Sequence, residues 1–385
     1  RRDLTMNAIS YDPLTKQFID PLGGIKDLQN KVMKPTSPRF KEDPLRVLRA
    51  MQFAGRYDLT ADKQLIEYAR SMTDEFKTLP KERVRDEWMK WASKSTNPGA
   101  GLEFLKQSGW IKHFPEIDRL QGVPQSKVYH PEGDVFNHTK LVTQSMARNE
   151  DWKKLGEKER SKLMFSALTH DFGKVSHTQI QPDGKIPSKG HDAAGVAPMK
   201  KFLGRIMSGG EASKMSKEIE PFVKRHMFHS NFPANLTDKA VNKLTKDVGD
   251  LSKFKILMES DLGKNLPPNT IARKFGEDQT RHLSRLTEIA NKAGIYTSPP
   301  KPLVQGRDLL KNGLMSSGPE MGKALKSLEK AQLDGKFKTT QEGLDYFKKN
   351  KQLMLGGMSR RRGPRGIPRM SEGLVPNFGA LDSRA

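Results

Sequence analysis

The sequence predicts a mainly α protein with a single short β-hairpin near its start. Apolar residues recur at helical spacing through most of 43–121 and 130–294, while loose two-residue alternation is confined to residues 8–20. An apolar content of 35% with mean hydropathy −0.71 fits a polar, helix-rich chain. At 385 residues it exceeds one ordinary core, which predicts two or three domains.

The elements follow in order. AISYDPLTKQFID, residues 8–20, turns at Asp12 and Pro13 and reads as the hairpin. PLGGIKDLQNK is a turn through Gly23 and Gly24 into a short helical segment. Helical pattern then runs over 43–121 with breaks at 57–59, 78–80 and 97–101, and resumes over 130–294 around a polar loop at 177–190. Pro299, Pro300 and Pro302 mark a linker, followed by a short helical unit. Beyond Lys351 the chain is rich in Gly, Arg, Pro and Ser without apolar periodicity, which predicts a disordered tail.

Sixty-eight Lys and Arg against 45 Asp and Glu leave a net charge of +23, a surplus that points to a polyanionic partner such as nucleic acid. The absence of cysteine excludes disulfides and thiolate metal sites. No apolar run approaches the ~20 residues that cross a bilayer, so no membrane partner is expected, and a cytoplasmic location is the expectation.

FKEDPLRVLRAMQFAGRY is the most informative helix. Asp43 and Pro44 suit its start, and Leu45, Leu48 and Met51 line one side. Arg46, Arg49 and Arg56 fall on another, at intervals of three and seven. A solvated face is the plain reading of such a stripe alone. Guanidinium forks also match phosphate oxygens and base edges, with Asp43 as the complementary acceptor.

The ordered set RRDLTMNA, DPLGGIKDL, EDPLRVLRAMQFAGRY and PKERVRDEW resembles the class II tRNA nucleotidyltransferase and poly(A) polymerase family. FPEIDRLQGVPQSKVYHPEGD narrows the resemblance to bacterial CCA-adding enzymes with a fused HD phosphohydrolase domain. The resemblance implies that Arg2, Asp3 and Asn7 hold the ribose and triphosphate of an incoming nucleotide. It implies that Asp43 and Arg46 template CTP or ATP, that Arg49 faces the triphosphate, and that Glu82 and Arg83 brace the nucleotide-binding helices. Gln52 departs from the arginine of many relatives. Nucleotidyl transfer needs Mg²⁺ held by carboxylates, which in this family form an Asp-x-Asp pair after a Gly-Ser helix start, ahead of RRD. Neither element occurs in this sequence, which predicts nucleotide binding without transfer and a chain truncated at its N-terminus.

Seven of the nine histidines lie between residues 130 and 229. His138, the His170–Asp171 pair and Asp261 form the order H…HD…D, whose imidazoles and carboxylates suit Mn²⁺, Mg²⁺ or Ni²⁺. By resemblance to the HD superfamily these four are the metal ligands. His170 and Asp171 are then also catalytic, Lys174 neutralises the scissile phosphate, and His191 and His226 serve a second metal or a phosphate. Met227 departs from a second His-Asp pair found in relatives.

The resemblance divides the chain into five parts. Residues 1–30 are a remnant of the nucleotidyltransferase palm, 31–125 a helical neck and body, and 126–295 an all-α HD domain. Residues 296–349 form a C-terminal helical unit with a tRNA contact, its Lys323, Lys326 and Lys330 reading either as a solvated face or as that contact, and 350–385 a basic tail with five arginines in residues 360–369. The implied function is CCA addition and repair at tRNA 3′ ends from CTP and ATP, with phosphohydrolysis in the HD domain. The other readings are a stand-alone HD phosphatase or 2′,3′-cyclic phosphodiesterase on an RNA-binding platform, a poly(A) polymerase relative, and a non-catalytic RNA-binding phage protein.

Overall fold

A computed structural model describes residues 2–231, 236–271, 273–274 and 276–355. It is mainly α, with two small two-stranded sheets, and it divides into compact units Arg1–Lys301 and Pro302–Ala385. The division falls within the proline cluster at 299–302.

The first unit begins with the expected hairpin, strands β1 (Ser10–Asp12) and β2 (Gln17–Ile19), paired antiparallel with Tyr11 opposite Phe18. Tyr11, Leu14, Phe18 and Ile19 are all exposed, so this sheet buries neither face among the described residues. The segment ahead of it is pinned down. Leu4 is buried and bridges Pro35, Thr5 donates its N–H to Lys34, and Thr36 donates to the Asp3 carbonyl. After α1 (Gly24–Gln29), strand β3 (Val32–Met33) pairs in parallel with β4 (Thr60–Ala61) across α2 (Leu45–Tyr57). Asp43 caps α2 by accepting from the Leu45 N–H at 3.0 Å.

α3 (Lys63–Ser71), α4 (Lys81–Lys94), α5 (Pro98–Gln107) and the single turn α6 (Pro115–Asp118) complete the N-terminal helices. The break expected at 97–101 ends early, because Pro98 occupies the first helical position of α5, where its missing N–H costs nothing. α5 packs on α2 and α7. Gly101 permits the approach to α2, since a Cβ there would meet the Met51 carbonyl at 2.7 Å.

The next helices are α7 (Val135–Ala147), α8 (Glu150–Lys153), α9 (Glu157–Thr169), α10 (Lys174–His177), α11 (His191–Ala194), α12 (Val196–Ile206) and α13 (Gly209–Arg225). α14 (Asp238–Val248), α15 (Leu251–Asp261) and α16 (Glu277–Lys292) follow. α7 starts earlier than its first histidine, because the Asp134 carboxylate caps it through the Asn137 N–H. One continuous core runs from the N-terminal helices into these. Trp88 stacks edge-on against Phe114 and Phe202, and Phe172 against Phe202, so the segment after α9 rests on the same aromatic block as α4.

In the second unit α17 (Gly306–Lys311), α18 (Pro319–Leu333) and α19 (Thr340–Met354) enclose Leu309, Ala324, Leu328, Leu344 and Phe347. Lys323, Lys326 and Lys330 lie exposed on α18, away from buried Ala324 and Leu328. α19 continues to Met354, past the boundary at 349 read from the sequence, because Leu353 and Met354 extend its turns. The rest of the expected tail, from residue 356, lies outside the described residues.

Candidate functional site

Two clusters collect the sequence-predicted residues. The first joins the N-terminal segment to α2. Buried Asp3 accepts from its neighbour Leu4 N–H at 2.9 Å and from Asn7 Nδ2 at 2.8 Å with one carboxylate oxygen, and from Arg49 Nε at 2.7 Å with the other. Burial pushes its carboxyl up, but the bonds from Asn7 and Arg49 outweigh this and hold it below the usual value. Arg49 also lies over the Phe53 ring. Arg2 is exposed beside this group.

The Arg46 N–H donates to the Asp43 carbonyl at 3.1 Å, but their side chains take other partners. The second Asp43 oxygen takes Arg83 Nη2 at 3.0 Å, and Arg46 Nη1 donates to the Arg39 carbonyl at 2.5 Å. Arg83 thus contacts Asp43 directly. Arg49→Ala is expected to leave the Asp3 carboxylate buried without a cation and to lower unfolding free energy by about 1–3 kcal/mol, measured by urea denaturation.

The second cluster is built on helix ends. His138 projects from the first turn of α7, and His170, Asp171 and Lys174 lie where α9 passes into α10. His191 begins α11, His226 follows α13, and Asp261 ends α15. Apart from partly exposed Asp261, all these side chains are buried. Three imidazoles are fixed by backbone carbonyls at their Nδ1 atoms: His170 by Ala167 at 2.7 Å, His191 by Ser188 at 2.6 Å and His226 by Val223 at 2.6 Å. A carbonyl only accepts, so each Nδ1 carries a proton and each Nε2 points inward. His138 is turned the same way, its Nδ1 at 2.7 Å from buried Glu132.

The Nε2 atoms converge on two carboxylates. Asp171 Oδ2 lies 3.2 Å from His170 and 3.7 Å from His138, while its Oδ1 lies 3.1 Å from His191 and 3.4 Å from His226. Asp261 Oδ1 lies 2.9 Å from His138 and 3.5 Å from His170. The Nε2 atoms therefore face carboxylates, and those of His191 and His226 face each other at 3.0 Å. Both Asp171 oxygens and His170 Nε2 are buried without a properly directed hydrogen bond among the described residues. This donor set fits a divalent cation: two neutral imidazoles and two carboxylates on one side, with Asp171 shared by two more imidazoles on the other. The two carboxylates draw positive charge to this spot: burial opposes charge on His170, but Asp171 and Asp261 outweigh it and push the imidazole up to about 10, so that its Nε2 holds a proton that a bound cation would replace. Both carboxyls are held well below the usual range.

A cavity of about 710 Å³ opens on this centre, lined also by Tyr129, His130, Ile186, Pro187 and Lys274. Three site residues escape a reading of the sequence. Glu132 orients His138. His229, one short-helix turn beyond His226, brings its Nε2 to 3.3 Å from Asp261 Oδ2, and Lys274 reaches His130. The spacing of His226 and His229 was the available signal, since residues three apart share one face of a 3₁₀ turn. Lys174 lines the cavity, and its ammonium is bound to Asp171 at 2.8 Å and Gln125 at 2.9 Å, so it also braces the carboxylate.

Residues 1–34 match the Poly A polymerase head domain family, and residues 269–347 match tRNA nucleotidyltransferase domain 2. The Multifunctional CCA protein of Mannheimia succiniciproducens is 41% identical over 251 residues, covering 63% of this chain and 57% of that protein. That of Xanthomonas campestris is 29% identical over 341 residues, covering 85% of this chain and 75% of the relative. The chain is similar to bacterial CCA-adding enzymes. It spans under three fifths of the Mannheimia protein's length. The likeness extends to the fold: a CCA-adding enzyme solved with CTP aligns at TM-score 0.52 and 19% identity, over 91% of this chain and 71% of that one. The Bacillus stearothermophilus CCA-adding enzyme, also solved with CTP, aligns at TM-score 0.54 and 15% identity, over 91% and 74%. No helix among the described residues is long and apolar enough to cross a membrane.

Proposed function

We propose that this chain serves tRNA 3′-end maintenance, binding CTP, ATP and tRNA for CCA addition and carrying a metal-dependent phosphohydrolase in its histidine-lined cavity. The observation that carries the hydrolytic half is the convergence of inward-facing Nε2 atoms on Asp171 and Asp261. His138, His170, Asp171 and Asp261 would hold one divalent cation, Mn²⁺, Mg²⁺ or Ni²⁺, with His191, His226 and the shared Asp171 available to a second. Such a cation polarises a phosphoryl group and lowers the pKa of bound water. The chain's own residues fix the ligands: backbone carbonyls set three imidazoles, Glu132 sets the fourth, and Lys174 holds Asp171.

Supporting the transfer half are the similarity to Multifunctional CCA proteins and the buried Asp3–Asn7–Arg49 group, which on this reading steadies the nucleotide-binding face formed with Arg2, Asp43 and Arg46. Residues 1–30 then belong to the nucleotidyltransferase head, 31–125 to the nucleotide-binding neck and body, 126–295 to the phosphohydrolase and 296–349 to a tRNA-contacting unit. The metal-holding carboxylate pair of transfer, with its Mg²⁺, is not among these 385 residues, since no two aspartates stand two positions apart. The expected result is hydrolysis of a 2′,3′-cyclic nucleotide that depends on added Mn²⁺ or Ni²⁺ and stops with EDTA, with no CMP added to tRNA lacking its CCA. Hydrolysis unaffected by EDTA would refute the first part, and CMP incorporation by these residues alone the second.

A further inference from the structure

We propose that Lys274 is the phosphate-binding cation of the histidine-lined cavity, recognising the terminal oxygens of a phosphomonoester. The proposal rests on the phosphohydrolase reading and adds to it the residue that takes the substrate's charge. Three lysines line the cavity, Lys174, Lys189 and Lys274. Lys174 is committed to Asp171 and Gln125, and Lys189 is exposed to solvent.

Lys274 differs from both. Its backbone N–H donates to the Leu262 carbonyl at 3.0 Å, which ties it to the residue following Asp261. Its side chain is half-buried and ends 3.2 Å from His130 Nδ1, with no carboxylate in ion-pair range among the described residues. His130 Nδ1 also lies 3.0 Å from Glu132 Oε1, so at most one of the three ammonium donors is directed there. Taking a cation out of water without a counter-charge is unfavourable, and burial accordingly depresses its pKa, with Asp261 and Glu132 opposing the fall from further away. An anion entering the cavity supplies the missing partner, and a phosphoryl group offers oxygens in every direction. A dianionic monoester gains more from this charge than a monoanionic diester, so Lys274 sets preference between them.

The test uses the full chain with Lys274→Met and Lys274→Arg. Titration calorimetry with inorganic phosphate is expected to show binding weakened roughly ten- to a hundred-fold in the Met variant, the range for one lost charge-assisted hydrogen bond, and largely kept in the Arg variant. Mn²⁺ binding, titrated separately, stays as in the parent. With p-nitrophenyl phosphate and bis-p-nitrophenyl phosphate, the Met variant is expected to lose kcat/KM mainly on the monoester. Phosphate affinity unchanged in Lys274→Met, or no phosphate binding by the parent, overturns the proposal. Absence of Mn²⁺ binding in the parent instead refutes the metal-centre reading, and the phosphate titration still decides the role of Lys274.

Discussion

Asp171→Asn is expected to remove divalent-metal binding and to reduce metal-dependent hydrolysis of a cyclic nucleotide at least about a hundred-fold. The side chain keeps its shape, so the effect isolates chemistry from packing. Asp171 is the one carboxylate approached from both sides of the cluster, by His138 and His170 at Oδ2 and by His191 and His226 at Oδ1. An amide puts an NH₂ donor on one of these sides, where a cation requires a lone pair, and removes the negative charge that offsets repulsion between metal and Lys174. Titration with Mn²⁺ measures the first effect and steady-state kinetics the second. A circular-dichroism melt checks that the fold survives. Metal binding equal to the parent in a folded variant would remove Asp171 from the ligand set.

Gly173→Ala is expected to disrupt both stability and the site. The glycine has ordinary helical angles, φ −69° and ψ −18°, so the constraint is space rather than conformation. A Cβ would fall 1.9 Å from the His191 carbonyl oxygen and 2.6 Å from the Gly195 N–H nitrogen, and those two atoms are themselves hydrogen-bonded at 2.8 Å. Backbone is struck on both sides, so no side-chain rotation relieves the clash. The start of α10 and the whole of α11 must separate, drawing His191 away from Asp171. A loss of about 1–3 kcal/mol is the usual range for overpacking. Backbone contact places this case at its upper end. Denaturant unfolding measures it, with Gly156→Ala as control, since a Cβ there meets nothing within 4 Å. Mn²⁺ titration should show the His191–His226 half weakened more than the half on Asp261. A variant as stable as the parent would mean that α10 and α11 are not so closely apposed.

The histidine centre was legible in sequence to the extent that its residues carry unusual chemistry in a fixed order. His138, His170–Asp171 and Asp261 could be selected because two imidazoles and two carboxylates are rare companions at helix ends. Their supports could not. Glu132 and Lys274 are ordinary charged residues in linear terms, and only the return of the chain after α15 brings Lys274 opposite His130. Met227 read as the loss of a His-Asp pair, yet the short 3₁₀ turn swings His229 onto Asp261 instead. Lys174 shows a partner that sequence did not name: its position beside the His-Asp pair pointed to substrate, and three-residue helical spacing also brings it onto Asp171. At the N-terminal cluster, the residue types predicted a nucleotide clamp, while the pairing of Asp43 with Arg83 rather than Arg46 depended on how α4 crosses α2.

The carbonyls of Ala167, Ser188 and Val223 have a consequence for how this centre tolerates change. They hold His170, His191 and His226 through main-chain atoms that every amino acid possesses. No substitution at those three positions deletes the acceptor, so the protonation pattern of the imidazoles is insulated from drift in the surrounding sequence. His138 alone depends on a replaceable side chain, Glu132. Mutational fragility at the centre is therefore concentrated on that one arm, and the remaining three persist for as long as the helix ends do.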